Sequence, residues 1–513
     1  MKRVLRCLAA GLFLVLALAS QAQAAPSVVD RNLTVRTVVD GLDQPTSLAF
    51  LGANDMLVLE KRTGKVQRVV NGAVPVTVLD LAVNNASERG LLGIALHPAF
   101  PVAPWVYLYW SCKSTAPFDD DPFRPEEMRC SDAPAAMFGA DTDEVLRVPL
   151  LGNRVDRFRW NGLTLAYDRN LIQLRSFQHD GAPQPPGQGD ESQPARGNHD
   201  GGVIDFGPDG KLYIQIGDVG RRGQLQNLPC GPTATSCPGP LTPDDQFGGP
   251  EPDDAHLTGG FLRLNDDGTT PADNPFFAAG AAMGGEVGPN VQKLFAYGIR
   301  NAFGFDFDPV SGKLWDEQNG DDSFTEINLV EPGANLGWVQ VMGPIERIAQ
   351  YKQIETSPQF FGLQQLRWSP ANIANSPGEA RSRMFMLPGA QYSDPEFAWK
   401  FEVAPAAVGF LHGQALGPQY QNDLFVGAAR PFLEGGQIWH FNLTGNRRKI
   451  GVGDPRLEDR VADNTAKFEI TESESLLFGR NFGVGTDIET GPNGNLYVVS
   501  LDQGAVYEIF RRR

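Results

Sequence analysis

Residues 197–220 read GNHDGGVIDFGPDGKLYIQIGDVG. Their second half is a turn followed by a strand: Pro208, Asp209 and Gly210 supply turn chemistry, and Leu212, Ile214 and Ile216 alternate with Tyr213 and Gln215 at the period of a strand. The same cassette returns as GPNGNLYVVS from Gly491 and DPVSGKLW from Asp308, and more loosely as LGANDMLVLE from Leu51 and YQNDLFVGA from Tyr420. A short apolar strand precedes these copies, as in SLAF at Ser47, GVIDF at Gly202 or GFDF at Gly304. A Gly-led strand often follows, as in GKVQRV at Gly64 or GAVYEIF at Gly504. Short strands punctuated by Gly, Pro and Asp, repeated along a chain with almost no helical periodicity, predict an all-β propeller with long inserted loops.

Length alone would allow several domains in 513 residues, but a propeller spreads one architecture over several hundred. The expected organisation is a signal peptide over 1–24 and a single propeller domain over 25–513. Lys2, Arg3 and Arg6 make a basic start, Leu8 to Ala19 an apolar run too short to span a bilayer comfortably, and Ala22-Gln23-Ala24 a small-residue cleavage site. The mature protein is therefore expected to be periplasmic or secreted, with no membrane span. Cysteines 112, 130, 230 and 237 remain after cleavage, an even number in an oxidising compartment. Two local disulfides, Cys112 with Cys130 and Cys230 with Cys237, are the economical pairing. Neither pair has CxxCH spacing, so the chain carries no c-type haem.

Loss of three signal cations takes the formal charge from −17 to −20. Such a surface opposes nucleic acid and anionic membranes. The excess acid serves solubility, or oxygen-rich sites for a divalent cation such as calcium. A first repeat is placed at residues 35–80, and a second begins with GLLGIALHPAF at Gly90 and continues through WVYLYW at Trp105. Residues 113–143 and 176–200 read as loops, and Pro344 to Ala390 as an irregular insertion, either a substrate lid or decoration. AVYEIF, the last strand, is expected to close the ring against N-terminal strands.

Of the six histidines, His199 lies in a polar, glycine-flanked setting between Asn198 and Asp200. A lone loop histidine is commonly a surface residue, yet neutral imidazole is also the natural general base near pH 7. Asp218, at the far end of the next strand, is placed to fix its tautomer. In YGIRNAFGF from Tyr297, Arg300 and Asn301 stand at a strand entry, where a guanidinium either clamps an anion or makes a structural salt bridge. Between Trp315 and Trp338, carboxylates surround Asn319 and Gly320 in a tight loop whose oxygens suit calcium, without EF-hand spacing.

SERGLLGIALHPAF, NHDGGVIDFGPDGKLYIQIGDVG, GGFLRLNDDGTTPADNPFF, YGIRNAFGFDF and EINLVEPGANLGW, in this order, resemble the motifs of the soluble pyrroloquinoline quinone (PQQ)-dependent sugar dehydrogenases, the glucose/sorbosone dehydrogenase family. The likeness covers residues 38–345 and, more faintly, 395–510. It implies a six-bladed propeller with PQQ and calcium over the central channel. It also implies a histidine that takes the proton of a sugar C1 hydroxyl as hydride passes to the quinone, and an external electron acceptor. On this resemblance His199 is the base, Asp218 its supporting carboxylate and Arg300 the arginine beside quinone and substrate. Glu88, Asn301 and Arg430 are cofactor contacts, and Asn319 and Gly320, after Gln318, hold the metal through main-chain oxygens.

Two departures follow. Val484 and Thr486 stand where the glucose enzymes carry an arginine pair for the PQQ carboxylates, and Arg480 substitutes only if its loop folds inward. The calcium loop is one residue longer before Glu326. The expected function is oxidation of the C1 hydroxyl of an aldose or related sugar. The alternatives are a non-catalytic calcium-binding propeller that binds a glycan or protein, and a calcium-dependent propeller lactonase.

Overall fold

The computed structural model describes residues 24–113, 152–176, 198–220, 257–285, 287–357, 373–430 and 435–512. Their strands form six sheets. Pro45–Gly52, Asp55–Glu60, Lys65–Val70 and Ala73–Asp80 make one antiparallel meander. Leu91–Leu96, Trp105–Ser111, Asn153–Trp160 and Leu165–Leu174 make the next. The third is built on Ile204–Phe206, Leu212–Ile216, Gly260–Leu264 and Leu294–Tyr297, and the fourth on Phe305–Phe307, Leu314–Gln318, Ser323–Val330 and Phe397–Phe401. Pro405–Phe410, Leu424–Ala428, Ile438–Thr444 and Leu477–Arg480 form the fifth. Gly485–Thr490, Leu496–Ser500 and Ala505–Arg511 form the sixth, completed by the N-terminal strand Leu33–Val39.

First strands of neighbouring sheets pack side by side around an axis. Pro45–Gly52 lies against Leu91–Leu96, that strand against Ile204–Phe206, and Phe305–Phe307 against Pro405–Phe410. Gly485–Thr490 follows and returns to Pro45–Gly52. The result is a propeller. Its core is divided among the gaps between sheets: Leu57 and Val66 meet Leu108 and Phe158, Tyr109 and Leu174 meet Ile214 and Leu262, and Trp315 and Ile327 meet Val426 and Trp439. Each fully buried aliphatic of this kind stabilises the fold by about 1.5–3 kcal/mol.

The repeated turn has a reproducible cause. In GPDG, Gly207 donates to Lys211 O at 2.9 Å while Asp209 Oδ1 accepts from Lys211 N at 3.0 Å. In GPNG, Gly491 donates to Asn495 O at 2.9 Å and Asn493 Oδ1 accepts from Asn495 N at 3.1 Å. An Asx side chain closes both turns, which is why Asp and Asn interchange there.

Ring closure is as expected, with Thr34 opposite Phe510 and Thr37 opposite Tyr507. The first-repeat boundary is corrected by the same pairing: residues 35–39 belong to the last sheet, and the first begins at Pro45. Pro344 to Ala390 is not irregular throughout. Helices Ile348–Glu355 and Pro377–Arg383 pack Ile348, Tyr351 and Ala380 against Phe324, Trp338 and Val341. Cys112 is disulfide-bonded, and Cys130, Cys230 and Cys237 lie outside the described residues, as does nearly all of the expected signal segment. Among the described residues no helix is long and apolar enough to cross a membrane.

Candidate active site

Strand ends converge on a cavity of about 700 Å³ at the mouth of the channel. The residues just after the second strand of several sheets line it: Lys61 after Asp55–Glu60, Asn319 and Gly320 after Leu314–Gln318, Ala429 and Arg430 after Leu424–Ala428, and Leu501 after Leu496–Ser500. Gly217 and Asp218 occupy the same place after Leu212–Ile216. A Cβ at Gly217 would lie 2.5 Å from His199 O and 2.6 Å from Arg300 O, so glycine there is what lets the two segments close around Asp218.

His199 and Asp218 form a buried pair, with Nδ1 and Oδ1 2.6 Å apart and exposures of 3% and 1%. Burial alone would raise the Asp218 carboxyl. The His199 ring, Arg300 and the Gly220 N–H, 2.7 Å away, overcome it and hold the group below its ordinary range. Trp338 Nε1 donates to the other oxygen at 3.0 Å. A carboxylate so fixed accepts from Nδ1–H and leaves Nε2 as the basic ring nitrogen. The main-chain N–H of His199 donates to Glu88 Oε2, which Asn301 Nδ2 approaches at 3.5 Å, so Glu88 ties both segments together.

Arg300 is 4% exposed and lies against Trp338, with its guanidinium carbon 5.5 Å from the ring centroid. Nη1 donates to Asn319 O and Gly320 O, each at 2.9 Å, and Nη2 to Asp321 Oδ1 at 3.0 Å. Two carbonyls that converge on one cationic nitrogen are also a cradle for a metal ion. A Cβ at Gly320 would sit 2.1 Å from Ser323 O, so the tight loop needs glycine. Glu402, on the cavity wall, is driven by burial to about 7, against the pull of Thr325 and Arg300.

Thus His199, Arg300, Glu88, Asn301, Asn319, Gly320 and Arg430 line one cavity, with Asp218 behind His199. Arg480 does not. It ends an outer strand paired to Ser27, and its side chain faces outward, whereas Val484 and Thr486 line the wall. Asp200 is also removed from the cavity. It is fully buried beneath it, bonded to Asn153 Nδ2 at 2.8 Å, and burial raises it to about 7.

Sequence reasoning missed Lys61, Glu402, Lys467 and Phe468. The position of Lys61 after a second strand was the available signal. Lys467 and Phe468 come from a loop without repeat character. Lys61 donates to Asn85 O and Ser87 O at 3.0 and 3.1 Å, and burial lowers it to about 8 despite Glu88 and Asp200. Arg430 and Lys467 flank the Phe468 ring, 5.2 and 5.5 Å from its centroid.

A buried imidazole–carboxylate pair beside an arginine, at the mouth of a propeller, is an arrangement suited to acid–base chemistry. The family model described as glucose/sorbosone dehydrogenase matches residues 42–121 and 242–380. Quinoprotein glucose dehydrogenase B of Acinetobacter calcoaceticus is 29% identical over 318 residues, 61% of this chain and 53% of that protein. An aldose sugar dehydrogenase of Escherichia coli strain K12 is 24% identical over 487 residues, 94% of this chain and 93% of its own. The PQQ-bound aldose sugar dehydrogenase of Streptomyces coelicolor shares the fold, with a TM-score of 0.52 at 20% identity, covering 94% of this chain and 98% of that one. These matches make the chain similar to the glucose/sorbosone dehydrogenases and support an oxidoreductase.

Proposed function

We propose that the chain is an exported, six-bladed quinoprotein, each sheet serving as one blade, that oxidises the C1 hydroxyl of an aldose or related sugar. The observation that carries this reading is the His199–Asp218 pair at 2.6 Å, buried on the wall of the cavity that also holds Arg300. His199 Nε2 takes the hydroxyl proton, and Asp218 stabilises the imidazolium that results. Arg300 donates to the oxygen on which negative charge builds as the proton leaves. When bound, PQQ supplies the two-electron acceptor for the C1 hydride, and an external acceptor later removes those electrons.

The chain's cations fit that group. PQQ carries three carboxylates, and Lys61, Arg430 and Lys467 reach the cavity from three different sheets or loops, where Val484 and Thr486 offer no charge. Asn319 O and Gly320 O, which accept from Arg300 Nη1 in this structure, are the oxygens that would hold the accompanying calcium in place of that guanidinium nitrogen. A cavity of about 700 Å³ whose wall mixes polar groups such as Gln44, Glu88 and Asn301 with apolar ones such as Leu92, Phe303 and Phe468 has room for a range of aldoses. The test is reconstitution with PQQ and calcium, followed by dye reduction over a panel of aldoses and by the absorption spectrum. Sugar-dependent reduction that requires added PQQ is expected. PQQ that binds yet supports no reduction with any aldose would overturn the substrate assignment.

A further inference from the structure

We propose a calcium site behind the cavity wall, formed by the side chains of Asp321, Asp322 and Glu355 and separate from the main-chain oxygens of Asn319 and Gly320. It goes beyond the sugar dehydrogenase reading and does not depend on it. One oxygen from each carboxylate lies within 4.8 Å of the others. Opposite ligands of a calcium ion stand about 4.8 Å apart, given calcium–oxygen bonds of about 2.4 Å.

The distribution of hydrogen bonds points to an ion. Glu355 ends the helix Ile348–Glu355 and is fully buried. Its Oε1 accepts from the N–H groups of Asp322 and Ser323 at 3.1 and 3.0 Å and from the Ser323 hydroxyl at 2.7 Å. Its Oε2 has no hydrogen-bond partner among the described residues. The same holds for Oδ2 of Asp322, which is 3% exposed, and for the hydroxyl of Tyr351, one turn earlier on the helix. Buried polar atoms are nearly always satisfied, so two orphaned carboxylate oxygens on a cluster this tight point to a ligand that no described residue supplies.

Among the described residues Arg300 meets Asp321 Oδ1 at 3.0 Å and Lys467 meets Asp322 Oδ1 at 2.6 Å, and neither reaches the orphaned oxygens of Asp322 and Glu355. Oxygen-only donors without histidine or cysteine favour calcium over a transition metal. An ion here would clamp the Asn319–Ser323 loop to the helix and so fix the carbonyls on which Arg300 rests.

The experiment is calorimetric titration of calcium chloride into chelator-treated full-length protein with no quinone present, alongside thermal melts. Glu355→Gln keeps a carbonyl for the three donors and replaces the free oxygen with an amide, and Asp322→Asn keeps an acceptor for Lys467. Wild type should bind calcium and melt several degrees higher with it. Each variant should bind at least about tenfold more weakly and lose most of the shift. Absence of any calcium response in wild type would overturn the site. So would wild-type affinity in folded Asp322→Asn or Glu355→Gln, because the ion would then belong to the untouched main-chain oxygens. Far-UV circular dichroism identifies a misfolded variant, and the other then decides. Because no quinone is present, failure here leaves the dehydrogenase reading standing.

Discussion

Asp218 and Asp205 belong to one hairpin and meet opposite fates. Asp205 lies opposite Tyr213 on the innermost strand, and Asp218 follows the next strand two residues past its end. Asp218 is kept below the ordinary carboxylate range by His199, Arg300 and two N–H donors despite its burial. Burial drives Asp205 to about 7, opposed by the N–H of Phe206 and reinforced by Asp487. Asp306, Asp487 and Glu489 face the same channel and shift the same way, again chiefly through burial. Burial therefore does not set the charge of a carboxylate. The donors that its neighbours can aim at it do. A propeller concentrates first strands around a narrow channel, so acids there meet other acids, while acids at the mouth meet loops that can bring cations.

Five perturbations probe this contrast. His199→Gln should reduce sugar-dependent dye reduction about 100-fold to 10,000-fold in the reconstituted enzyme, with melting temperature nearly unchanged. Retention of near-full turnover would remove the base. Asp218→Asn removes the charge but keeps an acceptor, so activity should fall about 10-fold to 100-fold, a smaller loss than that of His199→Gln. Unchanged activity in Asp218→Asn would make Asp218 a packing residue only. Lys61→Met combined with Lys467→Met should weaken PQQ binding about tenfold or more and flatten its salt dependence, as measured by titration, while Val484→Arg with Thr486→Arg should tighten it. Equal affinity in all three proteins would mean that the cofactor carboxylates are held elsewhere.

The smallest effect should come from Asp205→Asn. A carboxyl raised from 3.8 to about 7 contributes its stability below pH 4 and loses it as pH climbs toward 7. The variant should melt about 2–4 °C higher at pH 7 and lack part of that decline. Asp218 has the opposite sign: its contribution is present above pH 4 and is lost on acidification through its lowered folded value. Parallel melts of Asp205→Asn and Asp218→Asn from pH 3 to 8 should therefore diverge at opposite ends of the range.

The propeller and the His199–Asp218–Arg300 core were legible because each lies inside or beside a repeated local cassette whose turn chemistry fixes its position. Lys61 shared that address and was still overlooked, since the looser Leu51 copy has Ala53 and Asp55 where GPDG and GPNG have their Pro and closing Gly. Lys467 and Glu355 carry no local mark at all. They reach Asp322 across separations of 145 and 33 residues, contacts that no periodicity encodes. Arg480 failed for a related reason: the outward strand that bears it is set by pairing with Ser27, at the other end of the chain. The first-repeat boundary was misplaced because Leu33–Val39 alternates like any strand and nothing local says which sheet it will join.

That closure strand has a mechanical consequence. Leu33 sits opposite Arg511, and Val39 opposite Val506, so both chain ends leave the sixth sheet from the same edge of one antiparallel ladder. A pull applied through the two termini first strips Ser27 and Val28 from Arg480 and Gly479, and then loads the Leu33–Arg511 pair alone. Force in that direction peels a ladder one rung at a time, whereas a pull along the strands would engage every rung together. The ring is thus weakest against tension at its own seam, and a protein tethered by both ends would open there once Ser27 and Val28 have left the edge of the fifth sheet.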